Sequence, residues 1–350
     1  MKVVLLAPLP PPAGGIAGWT QRMTEVKLKR NWEVKVVDEK VIGGRSVFGA
    51  KSKRSLMIEL KRCFSIWTNL IKSFDDKEVK IVQSCIPAGI TSMLREIICA
   101  LISKLYKKKF IIHFRCTLPN MVKSKAAFIV FRTLLKLSDC VFVLNSASAS
   151  FVKQNNRNIE CIVIPNFIEK QSIKQRTIHN KCIKTLIYVG GVIPEKGCDL
   201  ISLLANHFKD KEFWLIGNVG MKKTCFPDNV KIMGERSNEY IQNALDRSDV
   251  FLFLSRFSGE GFSNALAEAM ARSLPCIVSD WAANRDMIEN KGGIVLKEYS
   301  TKEAIKAIEL LENIENRKKC GNWNYNKVLS SYTDSIVTSK YVDVYELLLK

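Results

Sequence analysis

Short apolar runs punctuate the chain, most of them without an alternating polar partner. The first, KVVLLAP at residues 2–8, reads as a strand covered on both faces, because a strand with one wet face would alternate with period two. A Pro/Gly-rich loop at residues 8–18 and a helical stretch lead to a second strand at 33–37, so the chain opens β–loop–α–β. Further strands are expected at 81–84, 110–113, 140–144 and 161–164, with helix-length stretches between most of them. A second series begins at Thr185, where LIYVGG, FWLIG, VKIMG, VFLFLS, PCIVSD and GGIVL alternate with helical segments. Two blocks of alternating strand and helix predict two doubly wound α/β domains. The polar stretch EKQSIKQRTIHNK at 169–181 is the expected linker, giving a first domain over 1–170 and a second over 171–335. An amphipathic helix over 336–350 closes the chain and is expected to return to the first domain.

Residues 53–74 carry a longer pattern. Met57, Leu60, Phe64, Trp67, Ile71 and Phe74 follow one another at steps of three and four, with Lys53, Arg54, Lys61, Arg62 and Lys72 off the stripe. The expectation is a basic amphipathic helix with its apolar side on its own sheet and its basic side toward lipid headgroups. Composition narrows the class: 350 residues with 47% hydrophobic content exclude disorder and small disulfide scaffolds. The longest apolar runs, at 97–102 and 126–131, fall short of the ~20 residues of a spanning helix. The start MKVVLLAPLPPPAGG lacks a signal-peptide cleavage pattern, so a cytosolic protein is expected. Eleven cysteines without a CxxC pair or a Cys/His cluster read as buried, reduced thiols, with neither zinc nor a disulfide framework.

The net charge of +20 is unevenly placed. Residues 1–170 hold 29 Lys+Arg against 12 Asp+Glu, a net of +17, whereas 171–350 hold 25 against 22, a net of +3. A one-sided positive surface fits a polyanionic partner, either nucleic acid or an anionic membrane face; a merely solvated basic surface is the plain alternative.

Three loops follow predicted strands, where open α/β sheets bind ligands. In PLPPPAGGIAGW, Gly14 and Gly15 allow close backbone approach ahead of a helix, although G-x-G-x-x-G is not met and no Walker A is present. In YVGGVIPEKGCDL, Gly190 and Gly191 close a strand, and Lys196 near the next helix can reach a phosphate or stand as an ordinary surface lysine. The third, LSRFSGEGFSNALAEAMARSLPCIVSD, is the most specific. A glycine-flanked turn carries Glu260, a helix beginning near Ser263 or Asn264 carries Glu268, and the amides of residues 262–264 would lie at the positive helix end. Two carboxylates divided between loop and helix can touch different ends of one extended ligand; alternatively, Glu268 pairs with Arg272 at i+4.

GEGFSNALAEAMA resembles the E-x7-E segment of family 4 retaining glycosyltransferases. So do, in order, Gly14–Gly15, IPN at 164–166, VGG…EKG at 189–197, NVKIMG at 229–234, LPCIVSD at 274–280 and YVDVYELL near the end. The resemblance covers nearly the whole chain and implies a GT-B fold, two Rossmann-like domains with doubly wound parallel sheets facing a central cleft. It implies a nucleotide-diphosphate sugar as donor, with Gly15 offering an amide to the diphosphate and Lys196 neutralising the departing phosphate. Glu260 would hold the donor sugar and Glu268 the ribose, with Gly191, Arg256, Gly261, Phe262, Ser263 and Asn264 around the donor. No metal and no cofactor are implied, and no D-x-D stands in a suitable loop. Charge on the leaving diphosphate is the main electrostatic task of such a reaction. His113, at a strand end in HFRC, falls where relatives have a histidine near acceptor or sugar, and is carried as a third catalytic candidate; a core histidine bonded to backbone is its alternative.

Some positions depart from the family. Gly191 stands where many relatives have arginine, a loss Arg256 can make good; Phe167 replaces a glycine after IPN, and Ala282–Ala283 replace glycines after SDW. The implied function is sugar transfer to a glycan or lipid-linked acceptor in bacterial surface polysaccharide synthesis, at the inner face of the cell membrane, with the anionic leaflet and not nucleic acid as partner. The alternatives are a nucleotide-sugar-binding protein without catalysis and, on charge alone, a nucleic-acid-binding protein. A hydride-transferring enzyme ranks last, although Asp38 imitates the ribose-binding acid of dinucleotide folds.

Overall fold

The computed structural model describes residues 1–11, 14–40 and 56–350, so Lys53 and Arg54 of the amphipathic stretch and Pro12 and Ala13 of the first loop lie outside the described residues. The chain divides into two units: Met1–Asn166 with Val337–Lys350, and Phe167–Ile336.

The first unit runs β1 (Lys2–Ala7), α1 (Gly15–Glu25), β2 (Glu33–Asp38), α2 (Leu56–Ser73), β3 (Val79–Ile86), α3 (Ile90–Leu105), β4 (Lys109–Phe114), α4 (Leu118–Met121), α5 (Lys125–Leu137), β5 (Cys140–Val143), α6 (Ser146–Asn155) and β6 (Glu160–Val163). Its six parallel strands lie in the order β2-β1-β3-β4-β5-β6. β1, β4 and β5 are buried almost throughout, which is why their sequences are apolar but for an opening lysine in β1 and β4 and His113 in β4. Ser124 and Asn145 start α5 and α6 by accepting hydrogen bonds from the amides of Ala127 and Ser148.

The second unit runs β7 (Thr185–Val189), α7 (Cys198–His207), β8 (Glu212–Ile216), β9 (Val230–Gly234), α8 (Asn238–Arg247), β10 (Val250–Phe253), α9 (Asn264–Ala271), β11 (Cys276–Ser279), α10 (Asn284–Ile288), β12 (Gly293–Leu296), α11 (Thr301–Leu310) and α12 (Ile314–Ser331). Its parallel order is β12-β11-β10-β7-β8-β9, the dinucleotide-fold order read from the far edge. The two doubly wound domains expected from the sequence are therefore present. Residues 169–181 do not hang free: the Lys174 amide donates to the Ala271 carbonyl at 2.9 Å and the Arg176 amide to Ser273 Oγ at 3.2 Å, strapping the segment to the second unit. The last helix, α13 (Asp334–Leu349), belongs to the first unit from Val337 on. Tyr341 and Tyr345 are fully buried there, with Tyr345 5.1 Å from the Trp32 ring.

Two expectations need correction. The apolar stripe of the 53–74 segment faces inward only in part: Phe74 is buried in the core of the first unit and Trp67 packs against it, whereas Met57, Leu60 and Phe64 are 62%, 55% and 66% exposed and Ile71 is exposed too. α2 packs on α3 and the edge strand β2, and its buried face, with Ile66 and Leu70 in the core, is rotated from the exposed part of the stripe. Nor are all cysteines buried. All eleven are free, but Cys182 and Cys225 are exposed, lying in connections outside the strands and longer helices.

Candidate functional site

In each sheet the strand order reverses once, between β1 and β3 and between β7 and β10, and ligands of open α/β sheets bind outside the carboxyl ends of the strands at such a point. The second reversal lies between the two loops that the sequence marks as chemical. After β7 the chain makes one 3-10 turn, Pro194–Lys196, and Gly197 follows at φ +87°. A Cβ at Gly197 would stand 2.2 Å from the Leu254 carbonyl oxygen just after β10, so only glycine lets the two loops meet this closely. The Arg256 amide then donates to the Glu195 carbonyl at 2.7 Å, joining the loops by backbone.

This junction delivers the Lys196 ammonium to the Glu260 carboxylate as an ion pair, with side chains only 20% and 11% exposed. Ser255 Oγ donates to Glu260 Oε2 at 3.3 Å, and the ammonium sits 4.8 Å from the centre of the Phe257 ring. Removing either partner would leave the other charge half-buried, which costs more than the pair itself contributes. Behind the pair, Ser279 Oγ donates to the Ser255 carbonyl at 2.6 Å and Asn284 Nδ2 to the Ser279 carbonyl at 3.1 Å, fixing the carboxyl end of β10 against β11.

The rest of the third loop surrounds that pair. Gly261, Phe262 and Ser263 are buried; Phe262 meets Tyr332 edge-on at 5.4 Å, and Ser263 caps α9 by accepting from the Leu266 amide at 3.2 Å. Asn264 and Glu268 are half-buried on α9, and Ala267, Ala269 and Ala271 are buried beside them. The Arg272 guanidinium is bound by Asp246 at 3.0 Å and Gln242 at 2.8 Å. Arg256 donates to Asp199 at 2.6 Å and lies 4.1 Å above the Tyr299 ring. The Gly191 carbonyl accepts from the Tyr188 hydroxyl at 2.9 Å and the Ile193 amide at 3.0 Å, closing the turn after β7. Sequence reasoning missed Ser255 and Phe257 as supports of the pair; their place directly after a strand at the reversal was the available signal.

Gly15 and His113 belong to the first unit. Gly15 begins α1, and a Cβ there would meet nothing within 4 Å, so packing does not require glycine at this position. His113 is fully buried. Burial and the Arg115 charge hold its pKa well below the usual histidine range, so the ring is neutral. Arg115 Nη1 lies 3.2 Å from the ring Nε2. Gln83 Nε2 lies 3.3 Å from the ring Nδ1, and Gln83 Oε1 accepts from the Tyr345 hydroxyl at 2.6 Å. Arg115 in turn donates to Asn166 Oδ1 at 2.5 Å and stacks over Trp19 at 4.1 Å. His113 thus lies beside Arg115 in the interior of the first unit, with no exposed surface. Asp38 Oδ1 accepts from the Leu9 and Lys40 amides at 3.0 and 2.8 Å, a loop-closing role.

Similar structures share this architecture along the whole chain. Sucrose-phosphate synthase from Thermosynechococcus elongatus superposes with a TM-score of 0.78 at 12% identity, covering 99% of both chains. HepE from Anabaena, solved with UDP, gives 0.73 at 13%, covering 99% of this chain and 100% of its own. The lipopolysaccharide outer core galactosyltransferase WaaB gives 0.74 at 15%, covering 99% of both. At such identities the likeness is one of fold. No curated protein matches the chain by sequence. Residues 169–327, most of the second unit with both loops and the Lys196–Glu260 pair, match the family described as glycosyl transferases group 1.

Proposed function

We propose that the chain is a glycosyltransferase whose donor is a nucleotide-diphosphate sugar bound at the β7–β10 reversal of the second unit. The observation that carries this reading is the Lys196–Glu260 pair, built into that reversal within the stretch matching the glycosyl transferases group 1 family. Lys196 supplies a fixed positive charge for the diphosphate as it leaves, and because Glu260 and the Phe257 ring already hold it, little reorganisation is needed when charge develops. Glu260 accepts hydroxyls of the donor sugar and Glu268 those of the ribose. The buried turn 261–263 and the start of α9 bring backbone amides to the phosphates. That HepE was solved with UDP and with UDP-glucose supports a uridine nucleotide as the first donor to try. The side-chain cation takes the place of a metal ion, and the sugar keeps its anomeric configuration.

We assign the acceptor side to the first unit, with a lipid-linked glycan at an anionic leaflet as acceptor. The +17 charge of residues 1–170 and the exposed apolar face of α2 support this assignment. Among the described residues no helix is long and apolar enough to cross a membrane, so the contact proposed is peripheral. A binding protein without catalysis is the second reading, favoured by one observation: Gly191 offers no cation and Arg256 is engaged with Asp199. The test is a panel of UDP-, GDP- and ADP-sugars. Transfer or hydrolysis with release of the nucleoside diphosphate, unaffected by EDTA and giving the retained anomer by NMR, supports the transferase. A donor that raises the melting temperature but is never consumed supports the second reading.

A further inference from the structure

The first unit contains a cavity of about 650 Å³ whose wall includes residues just after β1 and β3, beside the strand reversal of that sheet. This volume lies in the ~300–1,000 Å³ range of small-molecule sites. Much of the wall is hydrocarbon, with Ile16, Leu60, Trp67, Leu94 and Ile98 prominent. Leu60, Leu94 and Ile98 are also open to solvent, so the wall runs out continuously onto the exposed apolar face of α2 and α3.

The polar part of the lining is buried and unusual. Arg95 is held between Glu39 and Glu96 at 2.6 Å each, and all three are nearly inaccessible. The Glu39 and Glu96 carboxyl groups also share a side-chain hydrogen bond. Burial, reinforced by Glu96, pushes the Glu39 carboxyl up to about 8, so at neutral pH it is mostly uncharged. The cations Arg62 and Arg95 are already paired with Glu59, Glu39 and Glu96, and the hydrocarbon part of the wall offers a free sugar few partners for its hydroxyls. An amphiphile meets both conditions: its chain covers the wall, and it asks nothing of charges that are already paired. Lys40 at the lining and Lys61 on α2 are exposed and suit an anionic headgroup left outside.

We propose that this cavity receives the hydrocarbon chain of the acceptor lipid, entering from the α2–α3 face. The proposal rests on the reading of the acceptor as lipid-linked. It is tested on the full chain with BODIPY-labelled dodecanoic acid as fluorescent probe, farnesyl monophosphate as unlabelled competitor, and the UDP-induced thermal shift recorded in parallel. Thr91→Trp places a large ring at an exposed lining position, and Cys63→Trp fills the cavity from α2. The expected result is saturable binding of one probe per chain, displaced by farnesyl monophosphate and weakened about tenfold or more in both variants, with the UDP shift unchanged. Absence of saturable binding, failure of farnesyl monophosphate to compete, or undiminished affinity in Thr91→Trp with its melting temperature retained overturns the proposal. Loss of the UDP shift in the unaltered chain counts against the donor reading instead, whatever the probe does.

Discussion

Lys196 and Glu260 are 64 residues apart in sequence and meet because Gly197 lets the β7 loop rest on the end of β10. Gly197→Ala is therefore expected to cost about 2–4 kcal/mol, from left-handed strain and the clash with the Leu254 carbonyl, read by denaturant unfolding. Its donor affinity should fall as well, since the same shift moves Lys196. Lys196→Ala and Glu260→Gln should each lower turnover by about 100-fold or more while circular dichroism stays native, the scale of losing one preorganised charge-stabilising group. Glu39 gives a pH signature of opposite sign to an ordinary carboxylate. Its folded pKa, about 8, exceeds its ordinary value of 4.5, so its contribution to stability is fully present below about pH 4.5 and is lost as pH rises through about 8. Glu39→Gln, which resembles the protonated acid, should match the unaltered chain near pH 5 and exceed it near pH 9 by on the order of a few kcal/mol. A variant that loses most stability at the higher pH would contradict this. Lys196 and Glu260 were legible from strand-end spacing and family likeness. The burial of His113 was not, because Tyr341 and Trp19, which enclose it, come from distant parts of the chain.

At the scale of elements, α2 shows what periodicity can and cannot tell. Steps of three and four reveal that one face is apolar, but its direction is decided by neighbours, here α3 and β2, with Ile66 and Leu70 in the core. Leu70→Ala should cost ~2–5 kcal/mol by denaturant unfolding. Phe64→Ser should change stability by no more than ~0.5 kcal/mol. In co-sedimentation with phosphatidylglycerol vesicles the order reverses: Phe64→Ser should lose binding, whereas equal binding by Phe64→Ser would remove α2 from the membrane account. The loops after β7 and β10 were easier to read, since a glycine-bounded turn after an apolar run has few alternatives.

Across the whole molecule, strand–helix alternation made the two doubly wound sheets legible, but not the strand order, which depends on pairings between residues far apart in sequence. That order matters most for function, because it puts the reversal of the second sheet at the two marked loops. The most direct test of this placement is calorimetric titration of UDP, GDP and ADP into the unaltered chain and into Lys196→Ala. One of the three is expected to bind once per chain, and Lys196→Ala to weaken it about tenfold or more, equal to ~1.4 kcal/mol or more of lost diphosphate contact. Binding of that nucleotide with equal affinity by Lys196→Ala, or no binding of any of the three to the unaltered chain, would contradict it.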